Sequence, residues 1–298
     1  MEIPDAKDSA LPQAVWNADV TVTLAPVSQD FLKDEKYVQI MEHWGYYVQN
    51  PQCFYMRCFG FDFKITDGSS IIVDTHEQDA GDSDLSTFIL GSAFGVIGIQ
   101  RGLIPIHGAA VAIGDSSVII TGSVGSGKSA ILSSLVMDGY KYLSDDISMV
   151  FTKEGTPFVI PSYPQRKVEA KAAVETGESV SGTALLTEDG RDKFTIRRAA
   201  EWKDETLPLS CIVEIVPVTR KDEAAFSPEI VEITGHASLK LVLRNQYRPR
   251  FVSTIGTPPG SMKRLLEITS SVKTYQLLRP VEGFPVTGTA RMIIENCF

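Results

Sequence analysis

The chain has 298 residues, 43% of them hydrophobic, which allows one large domain or two modest ones with a sizeable core. A formal net charge of −9 and a pI near 5.0 argue against nucleic-acid binding by bulk electrostatics. Cys53, Cys58, Cys211 and Cys297 are scattered without C-x-x-C or zinc spacing, which points to a reducing compartment.

Residues 1–19 are acidic and polar, with Pro4 and Pro12, and lack the basic and apolar regions of a secretory signal. They read as a loose arm on a cytoplasmic protein. Val20 to Leu24 alternates as a short strand, and the chain as far as Gly81 is mostly β. Its clearest unit is a hairpin from Phe59 to Asp74 turning at Asp67-Gly68. Residues 1–81 are therefore expected to form a β-rich N-terminal lobe, and 82–298 a second domain. Asp79 to Asp84 reads as a linker and helix cap, and Leu85 to Gln100 as an apolar helix; its most apolar part, Phe88 to Ile99, is too short to span a bilayer, so no membrane partner is expected.

A strand from Ile104 to Ile113, a Gly114-Asp115 turn and the β-branched run Val118-Ile119-Ile120-Thr121 lead into Gly122-Ser123-Val124-Gly125-Ser126-Gly127-Lys128-Ser129. This fits G-x-x-x-x-G-K-[ST] with a strand before it and a helix-compatible run, Ala130 to Leu135, after it. Glycines let backbone N–H groups approach phosphate oxygens, and a helix start adds its positive dipole end. Lys128 can reach β/γ-phosphates, and the Ser129 hydroxyl can join the oxygen shell of Mg²⁺. The stretch predicts a nucleotide phosphate site.

The strand Tyr140 to Leu143 delivers Asp145-Asp146, 17 and 18 residues after Lys128, to the edge of the same sheet. Beside Mg²⁺-ATP two carboxylates can divide the work, one contacting metal or water and the other accepting a hydroxyl proton; without the loop, the pair would read as an acidic turn. His107 is a polar residue in an apolar strand, two strands from the loop and followed by small residues that permit close approach. Its alternatives are a satisfied core histidine or a partner that orients a catalytic carboxylate. Of the cations Arg166, Lys167, Arg244, Arg248, Arg250 and Arg279, Arg166 is the first candidate to meet charge on a transferring phosphoryl group. His43, His76 and His236 show no ligand spacing.

Further along, strands are expected over 147–151, 157–160, 193–198, 209–216 and 272–278, and helices over 237–245 and 261–270. A mobile loop or lid is expected over 172–192, and a Pro/Gly-rich tail after the last strand.

His107-Gly108, the loop Gly122 to Ser129 and Asp145-Asp146, with their intervals, resemble the HPr kinase/phosphorylase catalytic domain, related in fold to phosphoenolpyruvate carboxykinase. The approach Leu90 to His107 and the segment Pro161 to Arg166 resemble its shorter relatives from bacterial peptide-modification clusters, some of which phosphorylate a serine of a ribosomally made precursor, as in lasso-peptide pathways. The likeness covers roughly residues 85–170. It implies an α/β fold with a P-loop kinase core, a mixed sheet and flanking helices, using ATP and Mg²⁺. Asp145 would be the base, His107 would hold Asp145, and Asp146 would support the base or the metal together with Ser129. The glycine-rich signature of the HPr enzymes is absent, Ser162 to Lys167 standing in its place, and Glu169 lies near the position of their metal-binding glutamate. The implied partner is a peptide or protein serine, which the N-terminal lobe could hold by strand addition. A small-molecule or amino-acid hydroxyl kinase and a nucleotide-sensing module are the alternatives, and whether the chain forms a homo-oligomer is left open.

Overall fold

The computed structural model describes residues 19–76, 82–179, 193–219, 227–256, 260–281 and 286–298. It is a mixed α/β protein whose chain divides into two compact units. One comprises residues up to Leu103 together with Arg248–Ser261; the other comprises Ile104–Tyr247 and Met262–Phe298. The expected arm over residues 1–19 lies, but for Asp19, outside the described residues.

The first unit is a six-stranded sheet. Strands β1 (Thr21–Leu24), β2 (Val38–Met41), β3 (Trp44–Asn50), β4 (Cys53–Cys58), β5 (Phe61–Thr66) and β6 (Ser70–Asp74) are ordered β1-β6-β5-β4-β3-β2, which makes β1 and β2 its edges. The Asp67-Gly68 turn has both residues at positive φ, as a two-residue hairpin needs. Phe59-Gly60, read as the start of a strand, is a second such turn between β4 and β5. Helices α1 (Asp82–Phe88) and α2 (Phe94–Gln100) follow, joined by a π-helical turn over Ile89–Ala93 where one continuous helix was expected. Leu85, Phe88, Ile89, Val96 and Ile99 share one core with Phe54, Met56, Phe63, Ile65 and Ile71. That burial is why 82–103 belongs with the sheet, and why the first unit extends past the expected boundary at Gly81.

The second unit begins with β7 (Ile104–Ile113) and β8 (Ser116–Gly122), then α3 (Lys128–Met137), β9 (Lys141–Ser144), β10 (Ile147–Lys153), β11 (Thr156–Ile160) and β12 (Arg166–Glu169). Helix α4 (Ala170–Thr176) occupies the start of the expected loop over 172–192, of which residues 180–192 lie outside the described residues. Next come β13 (Lys193–Ile196), β14 (Leu207–Val218), β15 (Glu229–Ile233) and α5 (His236–Arg244). Helix α6 (Pro249–Ile255) returns to the first unit, and α7 (Ser261–Ser271), β16 (Lys273–Pro280) and α8 (Val286–Cys297) complete the second. Helix α8 stands in what was expected as a Pro/Gly-rich tail.

The main sheet runs β11-β10-β7-β8-β14-β16-β15, with β9 also on β7. Strands β8, β14 and β16 are parallel, and β7 is antiparallel to β8. Successive residues alternate between two cores. Val118, Ile120, Val213, Ile215 and Leu277 meet Ile131 and Leu135 of α3 and Ile293 of α8; Ile119 and Ile212 meet Leu241 of α5 and Ile268 of α7. A sheet covered on both faces reads as continuous apolar runs, which is how β8 and β14 appear in the sequence. Among the described residues no helix is long and apolar enough to cross a membrane.

Candidate functional site

The loop from Gly122 to Ser129 joins the end of β8 to the start of α3. Gly122 has φ +140°, and a Cβ there would lie 2.6 Å from the Ile215 carbonyl oxygen and 2.8 Å from Ser126 Oγ, so only glycine fits. Ser126 Oγ is buried and makes no hydrogen bond among the described residues. The loop's carbonyls are taken by cations. Lys128 Nζ donates to Gly122 O at 2.7 Å and Ser123 O at 3.0 Å, and Arg279 donates through Nε to Ser126 O at 2.8 Å and through Nη2 to Gly125 O at 3.4 Å. With those acceptors occupied, a loop next to a helix N-terminus offers chiefly N–H donors and positive charge, which suits an anion.

Asp145 and Asp146 form the turn between β9 and β10. Asp146 has φ +70°, a left-handed conformation that aspartate tolerates better than most residues. Its carbonyl accepts the Gly108 N–H at 3.1 Å and lies 3.2 Å from His107 Nδ1, while its Oδ1 is 3.5 Å from the same nitrogen. His107 therefore faces Asp146, not Asp145 as expected. The β7–β10 register sets Ile147 opposite His107, which brings the preceding residue over the imidazole. Asp145 is 9% exposed, and its Oδ2 accepts the Lys167 main-chain N–H at 2.6 Å. The Lys167 ammonium sits 3.1 Å from Asp146 Oδ2. His107 is also one strand from the loop rather than two, since β7 pairs directly with β8, and Thr121 Oγ1 donates to its carbonyl at 2.6 Å.

These surroundings split the carboxylates electrostatically. Burial, reinforced by the charge of Asp146, raises the pKa of Asp145 against the opposing Lys167 N–H. Burial pushes Asp146 the same way, but the ammonium of Lys167 and the neighbouring His107 and Lys193 outweigh it and hold this carboxyl well below the usual range. His107 is lowered by burial; Asp146 opposes this, and Lys128 is close enough for its charge to disfavour the imidazolium. Loop, histidine and acidic pair thus occupy one electrostatic neighbourhood, with one carboxylate firmly ionised and the other disposed to take a proton.

Arg166 donates to neither carboxylate of the pair, although its charge works with that of Lys167 against the rise in the Asp145 pKa. Its side chain is 1% exposed and is bound by both carboxylate oxygens of Glu178, by Ser133 Oγ at 3.0 Å and by Glu201 at 3.2 Å. A guanidinium so committed holds α3, β12 and the segment after α4 together; it does not meet a transferring group. Strand alternation separates it from Lys167, its neighbour on β12. Of the other arginines, Arg244 is bound by Glu214, and Arg248 lies over the Trp44 ring at 4.4 Å within the first unit. Glu169 ends β12 and precedes α4. Lys167, Lys193 and Arg279 are the site residues that sequence reasoning passed over. Lys167 had stood in the same cation run as Arg166, but no motif marks which neighbour turns inward.

Among the described residues no group of three or more His, Cys, Asp and Glu side chains is arranged to hold a metal ion. Ser129 and Asp146 offer oxygen donors only, a set that fits Mg²⁺ completed by phosphate and water.

No family model matches the chain, and no curated protein matches it. Among solved structures, the Hpr(Ser) kinase/phosphatase from Coxiella burnetii aligns over 64% of this chain and 98% of its own, with 12% identity and a TM-score of 0.32.

Proposed function

We propose that this chain is an ATP-dependent phosphotransferase with a P-loop core of the HPr kinase/phosphoenolpyruvate carboxykinase type. Its acceptor is a serine hydroxyl of a peptide or protein, in the finest form of the reading a ribosomally made precursor of the lasso type. The carrying observation is that the Asp145-Asp146 turn is held on Gly108 and His107 of β7, the strand paired with β8, whose end opens the loop of Lys128. A nucleotide sensor needs the loop; it has no use for two carboxylates of divided protonation behaviour beside it.

In this reading residues 122–129 bind the donor phosphates, with Lys128 on the β/γ oxygens. Ser129 and Asp146 would hold Mg²⁺, which when bound supplies neutralisation of phosphate charge. Asp145 accepts the hydroxyl proton, a role for which a raised pKa is suited. His107 orients the turn through Asp146. The acceptor assignment draws on the resemblance of His107-Gly108, Gly122 to Ser129, Asp145-Asp146 and Pro161 to Arg166, and β1 and β2 are the strand edges to which a peptide could add.

The test is incubation with γ-labelled ATP and Mg²⁺ in the presence of serine-containing peptide libraries, free amino acids and simple alcohols. Label on peptide serine is expected. Label confined to small molecules would replace the acceptor, and ATP binding without label on any acceptor would make the chain a nucleotide-sensing module.

A further inference from the structure

Lys167 touches both carboxylates of the acidic pair, and it does so with two different parts of itself. Its main-chain N–H donates to Asp145 Oδ2 at 2.6 Å, and its ammonium lies 3.1 Å from Asp146 Oδ2. The first contact is fixed by the backbone. Strand β12 is paired with β13 in register Lys167 to Thr195, and the preceding residue, Arg166, is anchored by Glu178, Glu201 and Ser133. The second contact is made by the end of a four-carbon stem whose side chain is 19% exposed, so the ammonium can swing away while the N–H stays in place.

The atoms of Asp146 are already allotted. The carbonyl takes Gly108 N–H and faces His107 Nδ1, Oδ1 faces the imidazole at 3.5 Å, and Oδ2 carries the lysine. Lys193 and Lys128 add positive charge around the same residues, while Asp145 lies on the other side of the balance; the phenol of Tyr163, its pKa raised by burial, stays neutral. A carboxylate in this setting has its charge matched by an ammonium. A dication bound to the same oxygen would meet Nζ at close range and of like sign, in a half-buried place where water screens little.

We propose that Lys167 is an internal counterion for Asp146 that a divalent cation displaces, so that metal loading of the site is set by competition with a lysine of the same chain. This rests on the reading of Asp146 as a metal-side carboxylate in a nucleotide site. Lys167 is a positioning residue in this scheme. It keeps Asp146 ionised and in place before the metal arrives, and its N–H keeps Asp145 oriented afterwards.

The experiment is titration of the full chain with Mn²⁺ by electron paramagnetic resonance, alone and with ADP, comparing wild type, Lys167→Met, Lys167→Arg, Asp146→Asn and the double variant Lys167→Met/Asp146→Asn. Methionine keeps the length of the stem, and asparagine tolerates the left-handed φ of position 146. Lys167→Met is expected to bind Mn²⁺ more tightly, on the order of tenfold, the scale of coupling between close charges. Lys167→Arg should stay near wild type, Asp146→Asn should bind more weakly, and the gain from Lys167→Met should vanish in the Asp146→Asn background. Unchanged or weaker binding by Lys167→Met overturns the proposal, and so does a gain of equal size without Asp146, which would be a general charge effect. Failure of ADP to bind any of the proteins would instead remove the nucleotide reading, leaving the comparison with Mn²⁺ alone to decide the role of Lys167.

Discussion

Arg279 Nε and the Ser126 carbonyl, 153 residues apart in the chain, are joined by a 2.8 Å hydrogen bond inside the second unit. The same guanidinium donates through Nη1 to Pro280 O at 2.7 Å and through Nη2 to Gly125 O, so the end of β16 is a brace for the back of the 122–129 loop. It is also a positive charge, 8% exposed, just behind a predicted phosphate site.

Replacing Arg279 by methionine should therefore do two things at once. Stripping buried carbonyls of their donor should cost about 1–3 kcal/mol of stability, and a loop no longer braced should bind ADP at least about tenfold more weakly, a loss of about 1.4 kcal/mol. Arg279→Lys should recover part of the charge effect but not the forked geometry. Urea unfolding and calorimetric ADP titration separate the two, and unchanged ADP affinity in a folded Arg279→Met protein would refute the brace.

Asp145→Asn is expected to stabilise the fold and to abolish transfer while leaving ATP binding nearly intact. Asp145 has a folded pKa above its unfolded one, so its contribution is favourable in acid and is lost as pH rises through the folded pKa; near neutrality the native state bears the cost. Asparagine keeps an acceptor for the Lys167 N–H without the charge. The gain, on the order of 1 kcal/mol as for most single substitutions, should be largest near neutral pH and close as pH falls into the ordinary carboxylate range. Thermal melts at several pH values check this, and normal transfer by the variant would show that Asp145 is not the base.

Gly108 and Gly122 should each refuse a methyl group. A Cβ at Gly108 would lie 2.5 Å from the Ile120 carbonyl oxygen, the close β7–β8 approach anticipated from the small residues after His107, and one at Gly122 would meet Ile215 O at 2.6 Å. Neither obstacle is a flexible side chain. Alanine at either position should destabilise by about 2–4 kcal/mol, within the range of severe backbone and packing defects; denaturant midpoints measure it.

Glu178→Ala should be more damaging than removing the whole ion pair. It removes the fully buried carboxylate partner of Arg166 and leaves the guanidinium, among the described residues, only the partly exposed Glu201 as counterion, a loss of up to about 3–5 kcal/mol, whereas Arg166→Met with Glu178→Leu replaces both buried charges by apolar groups and should recover much of it. If Arg166→Met alone reduced transfer without reducing stability, Arg166 would belong to the chemistry after all.

The reach of the sequence follows from what kind of signal each residue carries. The loop, the hairpin at Asp67-Gly68 and the apolar strands β7, β8 and β14 are local patterns, and they stand close to where they were expected. Helix α8 was hidden because Val286, Thr287, Gly288 and Thr289 are poor helix formers; tertiary burial of Ala290, Ile293 and Cys297 overrides that preference. The pairing of His107 with Asp146 could not be read because it depends on a β7–β10 register and one left-handed residue. Arg166 and Lys167 are adjacent cations with opposite fates, and only the direction of β12 tells the buried structural charge from the one that touches the acidic pair.

The order of strands in the main sheet also bears on synthesis. Strand β8, which ends in Gly122, lies against β14, and β14 in turn against β16, so the loop's floor and its arginine brace come from residues 207–218 and 273–280. A ribosome making this chain exposes Gly122 to Ser129 long before their supports have left the exit tunnel. Until Arg279 emerges, the carbonyls of Gly125 and Ser126 lack the donor that the folded chain gives them.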